Sequence, residues 1–123
     1  MKLTCSHLPD ITLITVSGQV DATTSAELEG FIDRARRRLD EHLVFDVREM
    51  SFLDSSGLAV LLAAATLARV HGAAIHLAGL QPRPTRILEI TGAWQAVYLH
   101  ERVDQAIAAA RAAVQAGPPA SRA

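Results

Sequence analysis

The chain is poor in aromatic residues. It has one cysteine, no long apolar run, no basic stripe and no glycine-rich phosphate loop. Each shortage excludes something. Only 4% of its 123 residues are aromatic, so a core must be built from Leu, Ile, Val and Ala. Half of the residues are hydrophobic, enough for one sizeable core. Cys5 has no partner for an internal disulfide. It is expected to be a small buried hydrophobe, and the missing disulfide framework fits a reducing cytoplasm. The longest apolar run, 58–65, is far below the roughly 20 residues that span a bilayer. Near the N-terminus Ser6, His7, Pro9 and Asp10 interrupt the apolar character, unlike a signal peptide. The expectation is a soluble, cytoplasmic protein with no membrane contact. A net charge of −1 without a basic stripe argues against direct nucleic-acid binding.

Other absences narrow the chemistry. Neither G-x-G-x-x-G nor G-x-x-x-x-G-K-[ST] occurs, so no nucleotide loop is signalled. His7, His42, His71, His76 and His100 are dispersed along the chain, and no His/Cys cluster has metal-ligand spacing. No cofactor is expected.

What is present reads as alternating strands and helices. "KLTCSHL" and "ITLITVSG" flank Pro9-Asp10 and suggest a hairpin. In "GQVDATTSAELEGFIDRARRRLDEH", Asp21, Thr24 or Ser25 is placed to cap a helix. Leu28, Phe31, Ile32, Ala35 and Leu39 follow the spacing of one buried face. Arg34, Arg36, Arg37 and Arg38 would then fall in the last turns, complementing the helix dipole or forming a docking face. "HLVFDV" is continuous enough for a strand covered on both sides. A helix follows it, ending at Gly72. "AAIHLAGL" is a further buried strand, and "PRPTRILEITGAW" a short helix closed by Gly92. "AVYLH" is a last strand. "VDQAIAAARAAVQAG" is an amphipathic helix through Val103, Ile107, Ala110 and Val114, capped by Asp104. The order β-β-α-β-α-β-α-β-α predicts an α/β fold. It is a small mixed sheet, mostly parallel with an antiparallel N-terminal hairpin, packed with about four helices. Residues 1–115 are expected to form one domain and 116–123 a disordered tail.

The chemistry concentrates at Asp54-Ser55-Ser56-Gly57, between strand and helix. In α/β folds such carboxyl-end loops favour function. Three readings compete. Asp54 or Ser55 caps the helix, with Gly57 allowing close backbone approach. A serine is a hydrolase nucleophile, against which G-x-S-x-G and a nearby base are both missing. Or a serine is a modification target, because a phosphate is favoured at a helix N-terminus and adds about −1.5 to −2 charges. Asp46 raises an aspartyl-phosphate receiver, but the earlier strand offers no acidic pair for a divalent cation. Asp46 is therefore expected to hydrogen-bond the following turn. The helix after Gly57 is apolar nearly all round. That fits a buried helix, or a face left dry for a partner.

The stretch "HLVFDVREMSFLDSSGLAVLL", with Asp46, Phe52 and the 54–58 run, resembles the STAS domain and, within it, the bacterial anti-sigma factor antagonists. "VSGQVDATTSAELEGFI" resembles the family's Gly-Glu-Leu-Asp segment and first helix through Gly18, Val20 and Asp21. "RILEITGAW" resembles its later short helix. Gln19 stands where the family has Glu, and Ala59 where many members have Gly. The resemblance implies a non-enzymatic phospho-switch. Ser55, with Ser56 as the second choice, would be phosphorylated by an ATP- or ADP-bound serine kinase that doubles as the anti-sigma factor. The unphosphorylated form would bind that kinase and free the sigma factor, and a metal-dependent serine phosphatase would reverse the modification. Asp21, Asp54, Ser56, Gly57 and Leu58 would belong to the partner-binding surface. A STAS scaffold of a signalling assembly, or an accessory subunit of a membrane transporter, is the alternative. The chain is expected to be a monomer or a weak homodimer.

Overall fold

The computed structural model describes residues 1–117. Strand β1 (Lys2–Leu8) turns at Pro9-Asp10 into β2 (Ile11–Val20), with Leu8 opposite Ile11. Asp10 takes the positive φ (61°) that the turn needs in place of glycine. Aspartate tolerates this region because its short side chain bonds locally. Helix α1 (Ser25–Ala35), β3 (His42–Leu53), α2 (Ser55–Val70), β4 (Ile75–Ala78), α3 (Pro82–Thr91), a single 3-10 turn (Ala93–Ala96), β5 (Tyr98–His100) and α4 (Val103–Ala116) follow.

The five strands lie in the order β1-β2-β3-β4-β5. The β1–β2 pair is antiparallel and the others are parallel. Each crossover steps the same way along the sheet, so right-handed connections put α1, α2 and α3 on one face. That face holds the main core. Leu28 and Ile32 of α1, Leu58 and Leu61 of α2 and Leu88 of α3 pack with Ile14, Leu43, Phe45 and Val47. The opposite face is covered by α4, through Ala106 and Ala110 against Ile11, Val44 and Ala78. Strand alternation explains the split, since Phe45 and Val44 point to opposite faces. The expected small mixed sheet with four helices is present.

Four local expectations need correction. Strand β3 does not stop near Val47. It runs on to Leu53 because β2 is also longer, and Gly18, Gln19 and Val20 pair with Met50, Phe52 and Leu53 across two register shifts. Helix α1 ends at Ala35, and Leu39 is exposed rather than on a buried face. The following arginines serve other partners. Arg37 donates through Nε to Glu41 (2.7 Å) and through Nη2 to the Leu8 and Ile11 carbonyls. Arg38 pairs with Asp10 and Asp40. Glu41 is fully buried and also accepts from Thr12 Oγ1 at 2.7 Å. Meeting that carboxylate and the hairpin carbonyls outweighs one more helical turn. Cys5 is exposed, because β1 is an edge strand with little helix above it. Arg102, not Asp104, is the N-cap of α4, and Asp104 pairs with it instead. The tail expected from residue 116 lies outside the described residues from 118 onward, while Ala116 closes α4.

Candidate functional site

The pairing of Val20 with Leu53 brings the ends of β2 and β3 level, so Asp21 and Asp54 emerge from neighbouring strands. The Asp54 N–H donates to the Val20 carbonyl (3.2 Å), tying the two exits together. Asp54 is extended (φ −105°, ψ −173°) and is the N-cap of α2. Its Oδ1 accepts from the Ser56 N–H (2.9 Å) and the Gly57 N–H (3.2 Å), and its carbonyl accepts from Leu58 (2.9 Å). These bonds satisfy amides that a helix start otherwise leaves unpaired.

Ser55 is the first helical residue and is exposed, whereas Ser56 is half-buried. Gly57 is wedged under the cap. A Cβ there would lie 2.5 Å from Val20 Cγ1 and 2.7 Å from Leu53 Cδ1. Only glycine lets α2 approach the ends of β2 and β3 this closely. Gly57 and Leu58 are both buried, so they hold the surface from beneath. Asp21 sits in the turn before α1 and is half-exposed. Its Oδ1 accepts from the Thr23 hydroxyl (2.6 Å), the Thr23 N–H (2.9 Å) and the Thr24 hydroxyl (3.3 Å). Hydrogen bonds from Thr23 lead in holding this carboxyl below the usual carboxylate range. Thr24 is the N-cap of α1 but makes no side-chain cap bond of its own.

Asp46 is committed elsewhere. It accepts from the Arg48 N–H (3.2 Å), Nε (2.9 Å) and Nη2 (2.8 Å), and the Arg48 guanidinium holds its carboxyl below the ordinary value. Among the described residues no group of three or more His, Cys, Asp or Glu side chains is placed to hold a metal ion. The histidines are engaged away from the serines. His7 bonds the Ala35 carbonyl, His71 the Leu67 carbonyl, and His76 bonds His100. No described histidine contacts Ser55 as a base would.

Two features escape the sequence reading. The histidines are dispersed in sequence, yet His42, His76 and His100 gather on the α4 face of β3, β4 and β5, with His76 stacked on His100 and tilted against His42. Their positions on adjacent strands are the signal, readable only once strand register is known. The second is a groove of about 430 Å³ between the end of β3 and the start of α3, lined by Phe52, Leu53, Pro82, Arg83, Pro84 and Arg86. It depends on a strand longer than the apolar run suggested.

The family model for the STAS domain matches residues 2–106. The chain belongs to the STAS domain family. It is 26% identical over 102 residues to the anti-sigma F factor antagonist of Paenibacillus polymyxa, covering 82% of this chain and 87% of that protein. It is 33% identical over 79 residues to the anti-sigma-B factor antagonist of Listeria monocytogenes, covering 64% and 69%. In fold it is similar to an anti-sigma factor antagonist from Mycobacterium paratuberculosis, with a TM-score of 0.80, 24% identity and coverage of 89% and 93%. The cap, wedge and exposed serine thus sit on a STAS scaffold. No helix among the described residues is long and apolar enough to cross a membrane.

Proposed function

We propose that this STAS chain is a cytoplasmic, non-enzymatic anti-sigma factor antagonist operated by phosphorylation of Ser55. The observation that carries the reading is an exposed hydroxyl on the first residue of a helix whose cap and packing are already complete. The similarity to two curated antagonists supports the same reading. The unphosphorylated surface around Asp21, Asp54, Ser55 and Ser56 binds a nucleotide-loaded serine kinase that is itself the anti-sigma factor, and so frees the sigma factor. Asp54 already occupies the Ser56 and Gly57 amides, so a phosphate on Ser55 stays on the outside of the cap. It adds about −1.5 to −2 charges there and opposes carboxylates on the partner. A metal-dependent serine phosphatase restores the binding form.

The test incubates the chain with its cognate serine kinase and ATP, maps the phosphoserine, and compares capture of the kinase by wild type, Ser55→Ala and Ser55→Asp. Phosphate on Ser55, capture by wild type and Ser55→Ala, and loss by Ser55→Asp are expected. Phosphate mapped elsewhere, or equal capture by all three, would sink the reading. Co-purification of a permease would point to the transporter role instead.

A further inference from the structure

The groove between β3 and α3 combines features that a merely solvated surface does not need. Phe52 is 40% exposed on its rim. Pro84 is buried in its wall, and Pro82 opens α3 at the first helical position. The wall is fixed to the sheet, since Gln81 Nε2 donates to the Arg48 carbonyl at 2.7 Å. Arg36, Arg37, Arg38, Arg48 and Arg102 all donate to acceptors within the chain. Arg83 and Arg86 are exposed and line the groove. Like Arg34, Arg69 and Arg111, they have no carboxylate or hydrogen-bond partner among the described residues, but these two stand together on one groove. Three apart on α3, they lie on the same helix face, and two guanidiniums on one face suit planar, bidentate capture of carboxylates.

We infer that this groove binds an acidic segment of the partner protein, its carboxylates on Arg83 and Arg86 and an apolar side chain against Phe52 and Pro84. Charge complementarity selects that occupant. Continuity with the serine site gives it a use. Leu53 lines the groove and Ser55 follows two residues later, so their Cα atoms are within about 7.6 Å. A phosphate on Ser55 repels the carboxylates that the arginines attract and competes for the same guanidiniums. The groove supplies affinity in one state, and the phosphate withdraws it in the other. This link to regulation rests on the Ser55 reading above, whereas the groove itself does not.

Titration of the ¹⁵N-labelled full chain with the synthetic peptide acetyl-Glu-Leu-Glu-Leu-Glu-amide, followed by amide chemical shifts, separates the two. The expected shifts concentrate at 52–54 and 82–86 and weaken severalfold as salt rises from about 0.03 to about 0.3 M. Affinity should fall about tenfold or more in Arg83→Glu/Arg86→Glu, the equivalent of about 1.4 kcal/mol, and the Lys-for-Glu peptide should not bind there. Both side chains are exposed, and a retained amide spectrum confirms that the variant folds. Shifts scattered elsewhere, equal binding by the Lys peptide, or an unchanged double variant would overturn the groove. So would ATP, titrated separately, occupying the same residues while the acidic peptide does not. If the peptide binds in the groove and Ser55→Asp leaves its affinity unchanged, the groove holds and its regulatory link to Ser55 fails. If the kinase does not phosphorylate Ser55, only the earlier reading falls, since the peptide titration is independent of it.

Discussion

Acid should destabilise this fold through one buried imidazole, and the size of the effect follows from its surroundings. His76 is 3% exposed on β4. Its Nδ1 lies 3.1 Å from His100 Nε2, and its ring is centred 5.2 Å from Tyr98 and 6.1 Å from His42. Its Nε2 is buried without a partner. The groups that face it are the His42 imidazole from β3 and the His100 and Tyr98 side chains from β5, while the buried contacts of α4 are alanines and aliphatics. Burial, then the nearby His100 and His42, pushes its pKa down to about 4 from an ordinary 6.5. The unfolded chain therefore takes up the proton as pH falls through 6.5, and the folded chain does so only near 4. Stability is full above the higher value and is lost through that window, by roughly 3 kcal/mol in all at about 1.4 kcal/mol per pH unit. By pH 5 about 2 kcal/mol of it has gone, a large share of a typical 5–15 kcal/mol total. Glu41 and Asp46, whose carboxyls are held below their usual values, lose their stabilisation only at lower pH, so pH 5 isolates the histidines. The assay is urea unfolding at pH 7.5 and pH 5 for wild type and His76→Leu. Wild type should lose about 2 kcal/mol or more between the two, and the variant well under half of that. The remainder belongs to His42, which burial also pushes down. A wild-type loss below about 0.5 kcal/mol, or an equal loss in His76→Leu, would mean that proton uptake at His76 does not drive the acid destabilisation.

Further substitutions probe the site and its support. Gly57→Ala drives a methyl into Val20 and Leu53 and should cost about 1–3 kcal/mol in urea unfolding. A cost near zero would show that the helix start is not wedged. Asp54→Ala removes the acceptor for Ser56 and Gly57. It should cost about 1 kcal/mol, with Asp54→Asn costing less because asparagine also caps; equal losses would refute the cap. Arg37→Ala takes a part-exposed guanidinium from the fully buried Glu41 carboxylate, which keeps its bonds from Thr12 and the residue-37 N–H, and should cost about 1–3 kcal/mol. Glu41 is the more sensitive because burial works to raise its pKa and only the bonds from Thr12 and Arg37 keep it low. Adding Glu41→Gln should recover part of the loss in a double-mutant cycle, and additive losses would mean the pair is not coupled.

The class of fold is legible because hydrophobic period and turn residues agree over most of the chain. The run at 42–47, the helix closed at Gly72 and the short helix closed by Gly92 in its left-handed conformation all follow local rules. What local rules miss depends on partners remote in sequence. Strand β3 reads as ended at Arg48 because polar residues begin there. Its pairing with the extended end of β2, not its composition, carries it to Leu53. Helical spacing continues through Leu39, but the chain leaves the helix at Arg36 because Glu41, Leu8 and Ile11 draw the next guanidinium. At the site, the cap at Asp54 and the close approach at Gly57 are legible from residue type and order. The nearness of Asp21 to Asp54 and the groove at Arg83 and Arg86 are not, since each depends on strand register or on where α3 docks.

A switch built at this junction can act without disturbing the fold, and the magnitudes show why. The helix start is held by the Asp54 cap, the bond from Asp54 to Val20 and the packing of Gly57. A phosphate on Ser55 would work against these mainly by repelling the Asp54 carboxylate at a half-exposed cap. The whole of that cap is worth only about 1 kcal/mol, so its partial loss leaves the chain folded. A docked partner excludes water. At an effective dielectric of about 20, a charge pair some 7 Å apart interacts by roughly 2.4 kcal/mol. With about 1.5 to 2 charges on the phosphate, one partner carboxylate at that distance opposes docking by roughly 4 kcal/mol, about a thousandfold in Kd. On the proposed function, the same modification would cost the free protein little and the complex nearly everything. Rigidity would be part of such a device. A helix start that yielded could swing the phosphate away and relieve the repulsion, whereas one wedged on Gly57 would hold the charge at the proposed interface.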